Sequence, residues 1–446
     1  MTMTSQNPGG TDGPGQSEGE LIVHHTVVEP PVSLRRRLIS GGSLVVLGVI
    51  CALGWGVGAD SGRAVFSLSP VGAEFQIPNI QVPGEIVAFL LGIVIVGLGV
   101  WQMARGFTRR QMKYVLAISL VLFVTAFLCW AATGTGGRPL SLVGLLKSTI
   151  TEAVPLILGA LAGILCERSG VINVAIEGQL LAGAFAGALG ASVAGSLGVG
   201  LVAAMLAGAL ISWLLAVFAI RYRVNQVVLG VVLIALATGL TGFGYDAFMQ
   251  TDPEHYNTPN VFQPLKIPLL GDIPIIGPAL FDVNLLVYIT YALIIAVDVA
   301  LFRTRWGLRT RAVGEHPKAA DTVGIKVLRT RYRNVVAAGM VSGLGGAFLT
   351  LGGVGAFSKG MSSGKGFIAL AAVIFGRWSP RGAVGAALLF GFADALQSLL
   401  SAVGTPVTIP SDLLLMLPYL ATLFAVAGLV GKVQAPAADG EPYVSG

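Results

Sequence analysis

The chain has 446 residues, 54% hydrophobic and 11% charged, against about a quarter charged in ordinary soluble domains, which excludes a water-soluble globular fold. Its 61 glycines follow no three-residue period, so collagen is excluded, and the formal charge of +6 comes from basic residues in short loops between apolar runs, a topology signal and not a nucleic-acid surface. Cys51, Cys129 and Cys166 sit in or at the ends of apolar segments without paired spacing, so neither a disulfide framework nor a metal site is implied.

Residues 1–33 are rich in Gly, Ser, Thr, Gln and Pro and lack an apolar face, which predicts a disordered cytoplasmic tail. Arg35, Arg36 and Arg37 precede the apolar run 38–58, which is long enough to cross a bilayer and reads as a retained anchor, not a cleaved signal. Further runs of spanning length follow at 86–104, 114–132, 148–166, 176–196, 199–220, 226–247, 284–301, 335–353, 383–402 and 411–430, with a shorter one at 367–376. The expected fold is an all-α polytopic membrane protein of eleven or twelve transmembrane helices, some short or discontinuous. Arg105, Arg109, Arg110 and Lys113, then Arg221 and Arg223, then Arg377 and Arg381 mark loops that face the cytoplasm, whereas 59–85 and 248–283, poor in Lys and Arg, belong outside.

Two places interrupt the apolar pattern. The first is Cys166-Glu167-Arg168-Ser169-Gly170-Val171-Ile172-Asn173, running on to Glu177-Gly178-Gln179. The helix after it carries small residues in two rows, Gly178, Ala182, Ala186, Gly190 and Ala194 beside Gly183, Gly187, Ala191 and Gly195, which predicts a very close neighbour. Asn173 and Glu177, four apart, share a face if both are helical, and Glu177 within the bilayer should line a cavity. An ordinary cytoplasmic turn with Glu167 and Arg168 paired is the alternative. The second interruption, 352–366, has Gly at 352, 353, 355, 360, 364 and 366. Paired discontinuous segments in two halves of a membrane protein point to a translocation path; two unrelated irregular loops are the alternative.

From Arg303 to Arg333 lie nine basic residues against two acids, Glu315 and Asp321. Within this stretch Pro317 and Gly324 bracket about two turns, which predicts a short surface helix suited to a groove in a cytoplasmic partner; a solvated basic loop is the alternative.

Glu167-Arg168-Ser169-Gly170-Val171-Ile172-Asn173 with Ile176-Glu177-Gly178, the loop Gly314-Glu315-His316-Pro317-Lys318-Ala319-Ala320-Asp321 with Gly324-Ile325, Gly364-Lys365-Gly366-Phe367, Phe375-Gly376-Arg377-Trp378-Ser379-Pro380 and Leu417-Pro418-Tyr419 occur in order over roughly 145–430. In these the chain resembles the permease subunits of ABC importers for nucleosides and simple sugars, in the branched-chain amino acid and ribose permease superfamily. The resemblance implies a type II-like permease core at 146–430 after a three-span extension at 34–145, with a cytoplasmic tail at 431–446. The loop charges and the parity of the spans put the N-terminus inside; the resemblance implies a plasma-membrane protein with a separate ATPase subunit, a second permease subunit in a homo- or heterodimer, an extracytoplasmic binding protein, a lipid surround and no cofactor. The loop Glu315 to Gly324 would dock the ATPase, and Glu167, Asn173, Glu177, Gly178, Asn225 and Phe367 would belong to the gate or path. The Glu-Arg-Ser-Gly and Ile-Glu-Gly pattern favours nucleosides over ribose, while Ile234 stands where the family pattern has Asn.

Catalysis has little to work with. Gly364-Lys365 is followed by Gly366, and Lys359 takes the place of the first Walker A glycine, so the ATPase is another chain. Gly360-Met361-Ser362-Ser363-Gly364 matches a nucleophile-elbow string but lacks the strand, helix and His that the motif needs. The second functional reading is a secondary transporter of small polar solutes, whose ionisable candidates are Glu152, Glu177, Asp246, Asp298 and Asp394.

Overall fold

The structure, a computed structural model, describes residues 34–57, 62–69, 76–403, 413, 416 and 434–444. The expected tail at 1–33, most of the run 411–430 and Leu417-Pro418-Tyr419 lie outside them.

The first unit is a helical hairpin and a third helix. Helix α1 (Leu34–Val49) continues as a wider π-helical turn to Trp55 and packs antiparallel on α2 (Gly84–Ala104). Gly41 meets Gly99 and Gly48 meets Gly92, and a Cβ at any of the four would strike the facing backbone. Both glycine pairs are seven residues apart, the spacing that keeps one seam facing its partner over two turns. Helix α3 (Arg109–Thr133) starts with a capping box, in which the Thr108 hydroxyl accepts from Gln111 N–H and the Gln111 side chain accepts from Thr108 N–H. Between these helices, strands β1 (Arg63–Ser67), β2 (Ile80–Pro83) and β3 (Leu140–Ser141) form a small sheet in the order β2-β1-β3, antiparallel then parallel. This sheet was not foreseen in the expected outer connection 59–85.

Helix α4 (Leu142–Glu167) is the axis of the rest: it is buried continuously from Ala153 to Glu167, where it is apolar all round. It is packed by α5 (Ile176–Ala194), α10 (Leu285–Arg303), α13 (Val327–Leu351), α14 (Lys365–Phe375) and α15 (Pro380–Val403). Helices α6 (Leu197–Ala216) and α7 (Gln226–Gly244), each ending in a π-helical turn, complete the wall. The opposite-side loop carries α8 (Pro253–Tyr256), β4 (Pro264–Lys266), α9 (Ile276–Leu280) and β5 (Asp282–Asn284), with β4 and β5 antiparallel. On the basic side lie α11 (Arg305–Glu315) and α12 (Pro317–Thr322).

Ten helices among the described residues are long and apolar enough to span a bilayer, and Lys365–Phe375 is a shorter apolar one. At 1.5 Å per residue its eleven residues reach about 16 Å, half of a hydrocarbon core of about 30 Å. The two small-residue rows of α5 do meet close neighbours: Gly183 lies on Gly343 of α13, Gly190 on Ala203 of α6 and Gly178 on Leu233 and Ile234 of α7. Ile234, where the family pattern has Asn, thus sits at the α5–α7 crossing against Gly178.

Candidate functional site

The two interruptions of the sequence meet inside the membrane. After Glu167 the chain turns at Gly170, whose φ of +86° only glycine adopts without strain, and returns non-helically to Ala175. Ile176, the first residue of α5, then lies against Gly159 and Gly163 of α4. Helix α5 therefore begins up to eight residues, about 12 Å, inside the end of α4. From the other side, α13 ends at Leu351, and the glycine-rich loop turns back through Gly355, Gly360 and Gly364, all at positive φ. Asn257 holds this loop by donating to Phe357 O (2.9 Å) and accepting from Phe357 N–H (2.7 Å). Helix α14 then runs from mid-membrane to the basic side. The depth of about 12 Å for the start of α5 and the length of about 16 Å for α14 agree on a junction near the bilayer midplane.

Glu177 makes that junction. Its Oε1 accepts from Ser362 Oγ–H (2.6 Å) and Gly364 N–H (2.8 Å), and its Oε2 from Gly366 N–H (2.6 Å). The side chain of α5 thereby caps α14 from across space, satisfying N–H groups that Gly364, lacking a side chain, leaves open at a helix start that favours negative charge. Glu177 is buried with its oxygens occupied, so it ties the two interruptions together and does not line an open cavity. A Cβ on Gly366 would collide with the Glu177 backbone.

The other expected residues fall around this junction. Asn173 precedes α5 and is not helical, so it shares no helix face with Glu177; instead its amide exchanges two hydrogen bonds with Gln179 (3.2 and 3.0 Å), both residues fully buried. Gln226 accepts from Ile172 N–H (2.7 Å), pinning the interruption to the start of α7, where Asn225 caps Val227 and Val228. Phe367, one turn into α14, is half exposed.

At the basic end the same two segments meet again. The Trp378 indole N–H donates to Glu167 Oε2 (2.5 Å), and Arg168 Nε donates to Trp378 O (2.9 Å). Arg168 pairs with Glu315 (3.8 Å) and not with Glu167, so the ordinary-turn alternative does not hold. Glu315 closes α11, after which Pro317 at N1 opens α12 and Gly324 at φ +82° ends it, as the Pro and Gly bracket predicts. Ala320 is buried against Val313, Val327 and Tyr443, while Lys318, Ala319 and Val323 are exposed.

One feature escaped the sequence reading as a unit. Lys365, at the first position of α14, reaches Glu152 of α4 (2.9 Å) and Asp394 of α15 (3.5 Å). On α4, Lys147, Ser148, Thr151 and Glu152 share one partly exposed face, and on α15 so do Asp394, Gln397, Ser398 and Ser401. The signal was present, since 394, 397, 398 and 401 repeat with the helical period in an otherwise apolar helix. Such a face is incompatible with lipid chains and requires water or protein against it.

The pattern of the protein family described as branched-chain amino acid transport system / permease component matches residues 145–427. Among curated proteins, the guanosine ABC transporter permease protein NupQ of Bacillus subtilis is 43% identical over 312 residues, 68% of this chain and 97% of the relative. The nucleoside ABC transporter permease protein NupC of Lactococcus lactis is 36% identical over 67% of this chain and 96% of its own length. A second B. subtilis guanosine permease protein, NupP, is 25% identical over 65% of this chain and 85% of its own. No solved structure matches the chain.

Proposed function

The chain belongs to the family of branched-chain amino acid transport system permease components, and on that premise we propose that it forms the membrane path of an ATP-driven nucleoside importer. It is a multi-pass, non-catalytic permease subunit. The observation that carries the path is the polar face of Glu152, Lys365 and Asp394 at mid-membrane beside the junction of the half-spanning α14 with the start of α5. That face would line the route of the solute, with Phe367 beside it, and a second permease subunit opposite would enclose it. Nucleosides are the favoured cargo because NupQ and NupC, matched over nearly their whole length, are described as guanosine and nucleoside permeases.

The basic side faces the cytoplasm by the distribution of Lys and Arg. The N-terminal end of α1 shares that side, since Arg37 donates to Ala104 O (2.6 Å) beside Arg105. Helix α12 then offers Lys318, Ala319 and Val323 to a groove of a separate ATPase, and the loop 250–284 faces an extracytoplasmic binding protein. NupQ and NupP are two different permease proteins described for guanosine in one bacterium, and this chain is more similar to NupQ, which favours a heterodimer with a second, distinct permease.

The test is uptake by cells carrying the chain with its neighbouring transporter subunits. Labelled guanosine should accumulate and be competed by unlabelled nucleosides but not by pentoses. Competition by pentoses alone would overturn the nucleoside reading.

A further inference from the structure

We propose that the C-terminal segment 434–444 is a positioning strap that couples the docking helix α12 to the inner interruption of the membrane path. The inference rests on the importer reading above and extends it to residues beyond the family match, which ends at 427.

The strap first grips the docking unit. Ala438 N–H donates to Gly314 O (2.9 Å), Ala437 N–H to Glu315 Oε2 (3.1 Å) and the Tyr443 hydroxyl to Asp321 Oδ2 (2.6 Å). The Tyr443 ring is buried with Val313, Ala320 and Val327, so it forms part of the apolar base on which α12 sits. At its other contacts the strap grips the path. Arg331, at the start of α13 and only 2% exposed, donates to Glu441 O (2.8 Å). Its guanidinium and Ala438 O close over Gly170, where a Cβ would lie 2.7 and 3.0 Å from them, and Gly440 rests on Ile172. Ile172 is the residue whose N–H is held by Gln226. A displacement of α12 therefore reaches the 168–175 turn through Asp321, Tyr443 and the turn at 438–441.

Beneath the strap, Glu167 and Arg331 lie near enough to Asp439 for their charges to act on its carboxyl. Burial and the nearby Glu167 carboxylate push the Asp439 carboxyl above the usual carboxylate range, against the pull of Arg331.

The experiment uses the complete transporter in proteoliposomes, reading nucleoside uptake and ATP hydrolysis together. In the wild type, ATP-dependent nucleoside uptake is the control, and its absence would sink the importer reading on which the strap rests. Given it, Tyr443→Phe removes the bond to Asp321 while keeping the ring, and a chain ending at 433 removes the strap. Nucleoside moved per ATP should fall at least about fivefold in the shortened chain, the low end of ordinary coupling energies, and to a lesser extent in Tyr443→Phe. Tyr443→Phe, which keeps the ring under α12, should retain basal ATP hydrolysis. A merely structural role would lower uptake and hydrolysis together at a constant ratio. An unchanged ratio in Tyr443→Phe, whether or not the shortened chain assembles, would overturn the strap.

Discussion

At the scale of single residues, Glu177 decides whether two distant segments stay together. Three donors converge on its two oxygens. Glu177→Gln keeps the size but turns one oxygen into an amide nitrogen that faces an N–H or O–H, leaving at least one buried donor unmet at about 1–3 kcal/mol. Gly366→Ala attacks the same contact from the other side, because its Cβ has no space against the Glu177 backbone. Both variants should insert and bind the ATPase normally yet lose most uptake, measured by labelled solute at matched membrane abundance; normal uptake in both would show the junction to be incidental. The sequence singled out Glu177 and the glycines of 352–366 separately. It could not show that they touch, because a carboxylate and a helix start nearly 190 positions apart leave no local trace of each other. The shared face with Asn173 failed for a physical reason: the amide pair with Gln179 replaces backbone bonding just before α5, so Asn173 holds a non-helical turn.

At the scale of elements, α12 was legible and α11 was not. Pro317 and Gly324 are strong punctuation, and the structure begins and ends α12 at them. Helix α11 hides its buried stripe in Gly307, Thr310, Val313 and Gly314, residues too small or polar to register as an apolar face among so many arginines. Thr310 is buried beside Asn334, and Gly307 presses on the carbonyls of Ala300 and Leu301, so α11 is a rigid bracket between α10 and α13. That bracket separates two adjacent alanines by role. Ala319 is exposed and Ala320 is 3% exposed. Ala319→Trp should leave abundance intact and abolish uptake, because it blocks only what α12 presents. Ala320→Trp should overpack the base of α12 at a cost of about 1–3 kcal/mol and lower abundance as well. Immunoblotting and uptake on the same membranes check both, and equal effects at the two positions would contradict the orientation of α12.

At the scale of the whole molecule, the spans were readable because a bilayer demands about twenty apolar residues wherever a helix crosses it. The way the spans are arranged was not, since nothing in hydropathy says that α5 and α14 both start at the midplane and run from there to opposite sides. The arrangement also bears on how the molecule is driven. The five acids that an ion-coupled carrier would use are all engaged: Glu152 and Asp394 with Lys365, Asp246 with Lys359, Asp298 with Arg381, and Glu177 with the start of α14. A coupling cation would have to displace a lysine, an arginine or a helix N-terminus from each, and each competes with it for the same carboxylate. On the importer reading proposed above, the energy enters from outside the membrane, and α12, with Lys318, Ala319 and Val323 exposed, is the element proposed to receive it. Purified chain reconstituted alone should therefore not concentrate a nucleoside in vesicles under an imposed proton or sodium gradient, while adding the partner subunits and ATP should restore accumulation. Accumulation by the lone chain under either gradient would mean that one of these carboxylates is released during the cycle and that the paired arrangement is only its resting state.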